Sequence, residues 1–320
     1  MSNQHLSVAL KATECAAKLC QRVQRSVTAE ALEKRDKSPV TIADFGSQAI
    51  IALALREAFP DIPLIAEEDS AALRESANAG LLDRVVEEVA LALERPGLSA
   101  EEVLDWIDHG GASDYSELFW TLDPIDGTKG FLRGEQYAIA LGLVQGGEPV
   151  LATLGCPNLE NADGSAGAIF CAEEGITHCH TQGGNRSQVH VSPEKSLAAS
   201  RFCESVESAH SDHSQSKAIA ELLGIGGESV RMDSQAKYAA VARGDAEIYL
   251  RLPTRPGYVE RIWDHAAGYA ILKGAGGTIT DVDGNALDFR HGRGLEKNRG
   301  IVASNGIHHA RLIEAIAKTN

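Results

Sequence analysis

The 320-residue sequence has no C-x-x-C pair and no apolar run that approaches the ~20 residues needed to span a membrane. Its N-terminal residues also lack the continuous apolar core of a signal peptide. We therefore expect a soluble cytoplasmic protein without membrane partners, and an organellar form stays open. The scattered cysteines are interpreted as free thiols of a reducing compartment, most of them with packing roles. They are Cys15, Cys20, Cys156, Cys171, Cys179 and Cys203.

An excess of positive charge is also absent. Lysine and arginine number 30 against 45 acidic residues, and the formal net charge is −15. Nonspecific nucleic-acid binding is disfavoured because a phosphate backbone selects a basic surface. A small anionic substrate stays compatible with this charge if metal ions or a local basic cluster neutralise it. Hydrophobic residues make up 43% of the chain, enough for a packed core.

The order of apolar segments predicts a protein with both helices and sheets. A helix is expected over 4–33, and a second one over 43–59 with Thr41 as its cap. The first half then continues as helices beside an antiparallel sheet, whereas short strands and helices alternate from about residue 200. We therefore predict an N-terminal α+β domain over 1–198 and a smaller C-terminal α/β domain over 199–320, with a ligand site between them.

The segment TLDPIDGTKGF, residues 121–131, contains the first candidate site. Pro124 is expected to interrupt strand pairing, which would leave Asp123 at the strand end and Asp126 at the start of a turn. Gly127 permits close approach of the backbone, and Thr128 opens a predicted helix whose N–H groups suit a phosphate. Clustered carboxylates suit a hard cation such as Mg²⁺ better than zinc, which favours histidine and cysteine.

The alternative is that these aspartates only cap turns and helices, as a lone D-x-x-D often does. Other acids, however, also end apolar segments, among them Glu67, Glu68 and Asp264. Brought together without compensation they would repel one another, and metal ions would remove that repulsion.

Three separated motifs, AEED, DPIDGTKGF and WDHAAG, resemble the signatures of the Mg²⁺-dependent, lithium-sensitive inositol monophosphatase superfamily. The resemblance extends from KSPVTIAD to the C-terminal AGGTITD and VASN segments. DKSPVT, DSQAKY and YLRLP resemble more narrowly the 3'(2'),5'-bisphosphate nucleotidase branch. The resemblance implies a layered αβαβα sandwich. It also implies removal of the 3'-phosphate of adenosine 3',5'-bisphosphate (PAP) to give AMP, and action on the sulfated relative, phosphoadenylyl sulfate (PAPS).

The resemblance also implies roles for individual residues. Two or three Mg²⁺ ions would be held by Glu67, Asp123, Asp126, Asp264 and the carbonyl of Ile125. Asp44 and Thr128 would orient and deprotonate the attacking water, since a threonine hydroxyl alone is a weak base. Asp36 is an additional candidate metal ligand. Glu68 and Lys129 are additional candidate site residues, and Lys129 would contact the substrate or support the site. An aspartyl-phosphate intermediate is the rival chemistry, but it would need an aspartate free of metal binding.

The expected partner is a small nucleotide bisphosphate. The branch resemblance implies nucleotide contacts from Gly127, Thr128, His210, Ser234, Lys237, Arg251 and Asp264. Each could instead be a surface ion-pair or capping residue. His213, His308 and His309 lack such a motif and are predicted at the surface. The sequence does not decide the oligomeric state, and a monomer is the simplest expectation.

Two other functions stay open at this point. An inositol phosphate phosphatase would keep the chemistry and change the substrate. A non-catalytic phosphonucleotide sensor would be expected to have a broken metal-ligand set, whereas every proposed side-chain ligand here is an acid.

Overall fold

The computed structural model describes residues 3–26, 38–181, 184–206, 213–253, 255 and 257–319. The described helices are α1 (Asn3–Arg25), α2 (Ser38–Ala58), α3 (Ala79–Ala92), α4 (Ala100–Asp108), α5 (Thr128–Leu132), α6 (His213–Leu223), α7 (Ala236–Ala242), α8 (Ala266–Gly274) and α9 (His309–Thr319). Short 3₁₀ turns occur at Ala72–Arg74, Ser76–Asn78, Leu197–Ala199 and Ile262–Asp264. None of the described helices combines the length and the apolar composition that crossing a bilayer would require.

The strands form two sheets. The first has the order β1-β2-β3-β4-β5-β6-β7, with β1 parallel to β2 and the other pairs antiparallel. Its strands are β1 (Leu64–Ala66), β2 (Leu118–Asp126), β3 (Ala138–Gln145), β4 (Glu148–Glu160), β5 (Ala166–Glu173), β6 (Ile176–Thr181) and β7 (Arg186–Gln188). The second is mixed, with the order β11-β12-β10-β8-β9. Its strands are β8 (Phe202–Glu204), β9 (Val230–Arg231), β10 (Ile248–Arg251), β11 (Thr278–Thr280) and β12 (Ile301–Ser304).

The alternation of side chains along β3 shows how the layers are built. Ile139, Leu141 and Leu143 belong to the apolar core formed with α1 and α2. Ala138 and Ala140 belong to the core on the other face, which contains α7 and α8. Successive strand residues point to opposite faces, so both faces of the first sheet are covered by helices.

A third apolar cluster completes the layers. It joins the far face of the second sheet to α6 and α9, through Phe202, Ile219, Ile248, Val302 and Leu312. The order α1/α2, first sheet, α7/α8, second sheet, α6/α9 is the predicted αβαβα sandwich. The domain boundary between residues 198 and 199 stays a prediction.

The central helical layer is packed closely. Gly268 in α8 lies against Tyr238 in α7, where an added Cβ would come within 2.1 Å of the tyrosine ring. No side chain fits there, because real Cβ contacts of that length do not occur. This packing fixes α7, and therefore Lys237, relative to the segment that carries Asp264.

Several sequence predictions of local structure are corrected. α1 ends at Arg25 rather than extending to 33, and residues 27–37 lie outside the described residues. Thr41 is not a helix cap, because α2 already begins at Ser38. A proline such as Pro39 is tolerated in the first helical turn, where its missing N–H would have no helical partner anyway.

Near the C-terminus, the sequence reasoning did not assign β12 and α9 as elements. It was also wrong to place His309 at the surface. His309 is buried, and its ring nitrogens lie 2.9 Å from Ser304 Oγ and 2.9 Å from Thr280 Oγ1. A histidine with both nitrogens partnered can be buried as a structural residue. His308 is half-buried, with Nε2 2.8 Å from the Lys195 carbonyl oxygen.

Candidate active site

β2 contains a β-bulge near its C-terminal end and does not stop at Asp123. Asp123 pairs with Ala140 and Asp126 with Ala138, so β2 has one residue more than its partner between these points. Ser47 donates a hydrogen bond of 3.0 Å from its hydroxyl to the Pro124 carbonyl. Pro124 therefore bends the strand without ending it, and the bulge directs the aspartates on either side of it.

Glu67 and Glu68 reach the same region from the neighbouring strand. β1 is parallel to β2, and the Glu67 N–H donates to the Leu122 carbonyl at 3.2 Å. The buried amide of Gln48 holds the backbone of Glu68 through bonds of 2.7 Å to its carbonyl and 3.1 Å from its N–H. Glu67 is thus fixed between a sheet contact and a clamp from α2.

Asp264 comes from the C-terminal half of the chain. It ends the 3₁₀ turn before α8, and the buried Gln235 connects it to Asp126. The Gln235 backbone N–H donates to Asp126 Oδ2 at 2.6 Å, and its side-chain amide donates to the Trp263 carbonyl at 2.8 Å. The Gly268 N–H donates to Gln235 Oε1 at 3.1 Å. One residue thereby places two acids from distant parts of the chain.

We call Glu67, Asp123, Asp126 and Asp264 the acidic cluster. Asp123 is only 2% exposed, and its Oδ1 has no hydrogen-bond partner among the described residues. Burial raises the pKa of Asp123 well above its ordinary value, and the neighbouring carboxylates Glu67, Asp126, Asp264 and Asp44 raise it further. A buried carboxylate oxygen without a donor is costly unless a cation approaches it.

Glu67 and Asp264 also have raised carboxyl pKa values. Solvent still reaches Glu67, but loss of hydration raises the pKa of its carboxyl to about 8, with added repulsion from Asp264, Glu68 and Asp126. Burial also raises the pKa of Asp264, although Arg251 and His265 oppose the shift. Four carboxylates, one with an unpartnered buried oxygen, form the all-oxygen donor set that Mg²⁺ prefers. The residues present therefore fit the predicted cation.

Asp44 and Thr128 approach this cluster from different elements. Asp44 in α2 is half-buried, and burial raises the pKa of its carboxyl well above the ordinary range, with further repulsion from Glu68 and Glu67. Thr128 is exposed at the start of α5. Within the described part of the chain no hydrogen bond joins the two side chains. Their pairing around a water therefore stays a prediction.

A second group, Lys237 and Arg251, forms what we call the basic pair. Lys237 is buried, and its Nζ lies 5.3 Å from the centroid of the Tyr249 ring. Burial lowers the pKa of Lys237, while Asp126 acts in the opposite direction. Arg251 Nη2 is 2.9 Å from Glu260 Oε2 and 3.3 Å from Asp264 Oδ2.

Glu260, Asp264 and His265 lie close enough to share a cation, with one ligand atom from each within 4.8 Å of the others. Arg251 already supplies positive charge to Glu260 and Asp264. The His265 ring bridges Glu260 Oε2 at 3.2 Å and the Tyr238 hydroxyl at 2.9 Å. We interpret this group as the ion-pair network that supports Arg251.

Gly127 and Ser234 are in direct contact where the two halves of the site meet. Gly127 has a φ of +92°, and an added Cβ would lie 2.9 Å from Ser234 Cβ. Ser234 itself has a φ of +70°, which is rare for a residue with a side chain. Its hydroxyl accepts a hydrogen bond of 3.1 Å from the Ala236 N–H at the start of α7. Strained backbone of this kind is concentrated at functional sites.

The acidic cluster and the basic pair line one cleft of about 590 Å³. The predicted site residues that line it are Glu67, Asp123, Ile125, Asp126, Gly127, Thr128, Lys129, Ser234, Lys237, Arg251 and Asp264. Asp44 and Glu68 are not among its lining residues, although Asp44 is close enough to Glu68 and Glu67 for the carboxylates to repel one another. Asp36 and His210 lie outside the described residues, so their predicted roles stay predictions.

The sequence reasoning missed the residues that position these groups. Ser47, Gln48, Gln235 and Glu260 were not identified as site residues. The available signal was weak: a polar side chain inside an apolar helix, such as Gln48 in α2, needs a buried partner. The spacing along the chain does not reveal which partner that is.

Comparisons with known proteins agree with this architecture. The model of the inositol monophosphatase family matches residues 3–320. A 3'(2'),5'-bisphosphate nucleotidase from Schizosaccharomyces pombe is 43% identical over 93% of this chain and 89% of its own length. The protein of the same name from Emericella nidulans is 41% identical over 97% of both chains, and that from Oryza sativa is 42% identical over 97% and 93%.

Solved structures show the same fold. An IMPase from Thermotoga maritima superposes with a TM-score of 0.63 at 19% identity, covering 100% of this chain and 98% of that one. CysQ from Bacteroides thetaiotaomicron, described as a bacterial member of the inositol monophosphatase family, gives 0.63 at 19% identity over 94% and 97%. The layered fold, the carboxylate cleft and the match over nearly the whole chain agree, and the chain belongs to the inositol monophosphatase family.

Proposed function

We propose that this protein is a Mg²⁺-dependent 3'(2'),5'-bisphosphate nucleotidase that hydrolyses the 3'-phosphate of PAP to AMP and phosphate. The observation that carries the proposal is the cleft, in which four mutually repelling carboxylates and two cationic side chains meet. Relatives that are 41–43% identical over most of their length have this activity as their name. PAPS is proposed as a second substrate.

The acidic cluster and the Ile125 carbonyl would hold two or three Mg²⁺ ions. When bound, these ions supply positive charge to the phosphoryl oxygens and lower the pKa of a water molecule. The unpartnered Oδ1 of Asp123 and the raised pKa of Glu67 support this assignment, because both are unfavourable in the protein alone.

The chain's own residues would handle the water and its proton. Burial and the neighbouring Glu68 and Glu67 raise the pKa of Asp44, and a raised pKa makes its carboxylate a better proton acceptor. The Thr128 hydroxyl, exposed in the cleft, would accept a hydrogen bond from the water and orient it. The water oxygen attacks phosphorus while one of its protons passes to Asp44, the bond to the 3'-oxygen breaks, and the departing 3'-oxygen takes up a proton from solvent to give AMP.

The basic pair would bind the part of the nucleotide that is not hydrolysed. Lys237 offers a compact positive charge, and Arg251 offers a planar fork that matches phosphate oxygens. Both are held before substrate arrives, Lys237 by burial against Tyr249 and Arg251 by Glu260. Such preorganisation reduces the entropy that substrate binding has to overcome.

A phosphate-release panel with Mg²⁺ tests the proposal. We expect kcat/KM on PAP to exceed that on inositol 1-phosphate and AMP, with PAPS close to PAP. Preferential hydrolysis of inositol 1-phosphate would assign the protein to inositol phosphates instead. Binding of PAP without phosphate release would instead indicate a sensor.

A further inference from the structure

Arg293 links the two elements that carry the outer members of the acidic cluster. It is half-buried and belongs to the segment before β12. Its Nη2 donates to the Ala66 carbonyl at 2.7 Å and lies 3.5 Å from the Glu67 carbonyl. Its Nη1 donates to the Ala112 carbonyl at 3.3 Å. The guanidinium therefore holds the backbone carbonyls at Ala66 and Glu67.

The same guanidinium stacks on the residue before Asp264. Its central carbon lies 4.5 Å from the centroid of the Trp263 ring. At this distance the positive charge interacts favourably with the face of the ring. One planar group thus bonds with its edge to the end of β1 and packs with its face on the 3₁₀ turn that ends at Asp264.

The backbone around Arg293 is itself attached to that turn. The Ile262 N–H donates to the Arg293 carbonyl at 3.2 Å, and the Leu295 N–H donates to the Glu260 carbonyl at 2.8 Å. Arg261 and Gly294 form an isolated antiparallel bridge. The segment is therefore fixed on the Asp264 side, and the Arg293 side chain extends from it to the Glu67 side.

The link matters because the two carboxylates repel each other. Among the neighbouring carboxylates Asp264 repels Glu67 most strongly, and within the described residues no strand pair connects β1 with the 3₁₀ turn. We propose that Arg293 is a positioning residue that holds the backbones of Glu67 and Asp264 at the separation a shared cation site requires. The proposal rests on the proposed metal-dependent function, but its main readout, Mn²⁺ binding without substrate, does not depend on which substrate is hydrolysed.

The chemistry of the side chain makes the proposal specific to arginine. Lysine would keep the charge but lose both the fork that bonds two carbonyls and the flat face that stacks on Trp263. Methionine would keep most of the apolar volume and lose the charge. Loss of a group that orients metal ligands typically weakens metal binding about 10–100-fold.

The experiment measures Mn²⁺ affinity of the metal-stripped full chain by calorimetry and by electron paramagnetic resonance, without substrate. We expect Arg293→Met and Arg293→Lys each to raise the Kd by about tenfold or more. Arg290→Met is the matched control, because Arg290 is exposed in the same segment and, among the described residues, its guanidinium bonds to the carboxylate of Asp288. Its Kd is expected to stay within twofold of the parent protein.

A coupling test separates positioning from a general loss of stability. If Arg293 acts through Glu67, Arg293→Lys should weaken Mn²⁺ binding much less in a Glu67→Gln background than in the parent. The proposal is overturned if Arg293→Lys binds Mn²⁺ within twofold of the parent, or if its effect is undiminished in Glu67→Gln. Should Arg293→Met fail to fold, the lysine variant alone decides. Absence of PAP hydrolysis with normal Mn²⁺ results would count against the proposed substrate, not against the role of Arg293.

Discussion

The acidic cluster and the basic pair line the same cleft but differ in how their charges are compensated. In the acidic cluster, Asp123 has a buried oxygen that no described residue hydrogen-bonds, and the pKa of Glu67 is raised to about 8. In the basic pair, Lys237 lies over the Tyr249 ring and Arg251 contacts Glu260 and Asp264. The acidic cluster is unfavourable by itself, whereas each cation of the basic pair has a partner within the protein, although burial still lowers the pKa of Lys237.

This difference indicates a division of labour. Acids that repel one another destabilise the folded protein, and a bound cation relieves this repulsion. Cation binding should therefore stabilise the folded protein. A compensated cation instead keeps one position and accepts an anion with little rearrangement. Asp264 belongs to both regions, since it lies in the acidic cluster and contacts Arg251, and it is where metal and nucleotide binding would communicate.

The largest effect is expected from a substitution that removes the proposed base next to the acidic cluster and leaves the four carboxylates of the cluster unchanged. Asp44→Asn keeps the shape of the side chain and removes its ability to take a proton. We expect kcat on PAP to fall by about 10²–10⁴-fold, the usual contribution of a general base, with Mn²⁺ affinity largely unchanged. Steady-state kinetics and calorimetry measure the two quantities.

The control for this variant is Glu57→Gln, which neutralises an exposed acid on the same helix. It should retain parental kinetics. Robust turnover by Asp44→Asn, within tenfold of the parent, would contradict a role for Asp44 as the base.

The next effect tests the basic pair alone. Lys237→Met keeps the buried stem and removes the charge, and each hydrogen bond to a charged group contributes roughly 1.5–3 kcal/mol. We expect KM for PAP to rise about 10–100-fold, and KM for a simple phosphomonoester to rise much less. Lys273→Met, an exposed lysine on α8, serves as the control. Equal increases in KM for both substrates would contradict a specific contact between Lys237 and the nucleotide.

The two regions also differed in how much of them could be predicted from the sequence. The acids of the cluster follow short apolar segments, and elements that end in acids are visible in the chain itself. Their order, with a family resemblance, was enough to anticipate the layered fold and eleven of the residues that line the cleft. Lys237 and Arg251 were identified from the resemblance, and their compensation by Tyr249 and Glu260 was not foreseen.

The residues that hold the site together could not be predicted for a physical reason. Gln235 bonds to the side chain of Asp126, 109 positions away, and Arg293 bonds to the carbonyl of Ala66, 227 positions away. Such contacts depend on tertiary packing and leave no periodic pattern. The bulge at Pro124 was missed as well, because proline predicts an interruption of pairing but not whether the strand resumes.

Without metal, the repulsion among the carboxylates of the acidic cluster should make the stability of the protein depend on pH. An unfolded glutamate has a pKa near ~4.3, whereas Glu67 in the folded protein has a pKa of about 8. Between these values the folded state binds more protons than the unfolded state, so the free energy of unfolding decreases as pH rises. Scanning fluorimetry in EDTA should show Tm falling between about pH 5 and about pH 8.

Mg²⁺ should weaken or reverse that fall, because cations favour the ionised carboxylates. Glu67→Gln should make the curve in EDTA shallower, since one of the carboxyls with a raised pKa no longer titrates while Asp123, Asp264 and Asp44 still do. Identical slopes with and without Mg²⁺ would show that the acidic cluster does not bind the cation.

The smallest expected effect concerns Ser234, whose backbone joins the two regions. Left-handed backbone costs a residue with a side chain roughly 1–2 kcal/mol, and glycine avoids this cost. The variant also loses the local bond from the Ala236 N–H to the Ser234 hydroxyl, and such a bond contributes roughly 0.5–1.5 kcal/mol. Ser234→Gly should therefore increase the free energy of unfolding by about 0.5 kcal/mol.

If the Ser234 hydroxyl also contacts the nucleotide, the more stable variant should bind PAP less tightly, a trade between stability and function. Ser234→Ala separates the two contributions, because it removes the hydroxyl and keeps the strain. Glu174→Gly relieves a similar φ of +53° in the exposed turn between β5 and β6, far from the cleft-lining residues in sequence. It should gain stability and keep its affinity for PAP. If Ser234→Gly instead gained stability with unchanged affinity for PAP, the strain at Ser234 would have no connection with nucleotide binding.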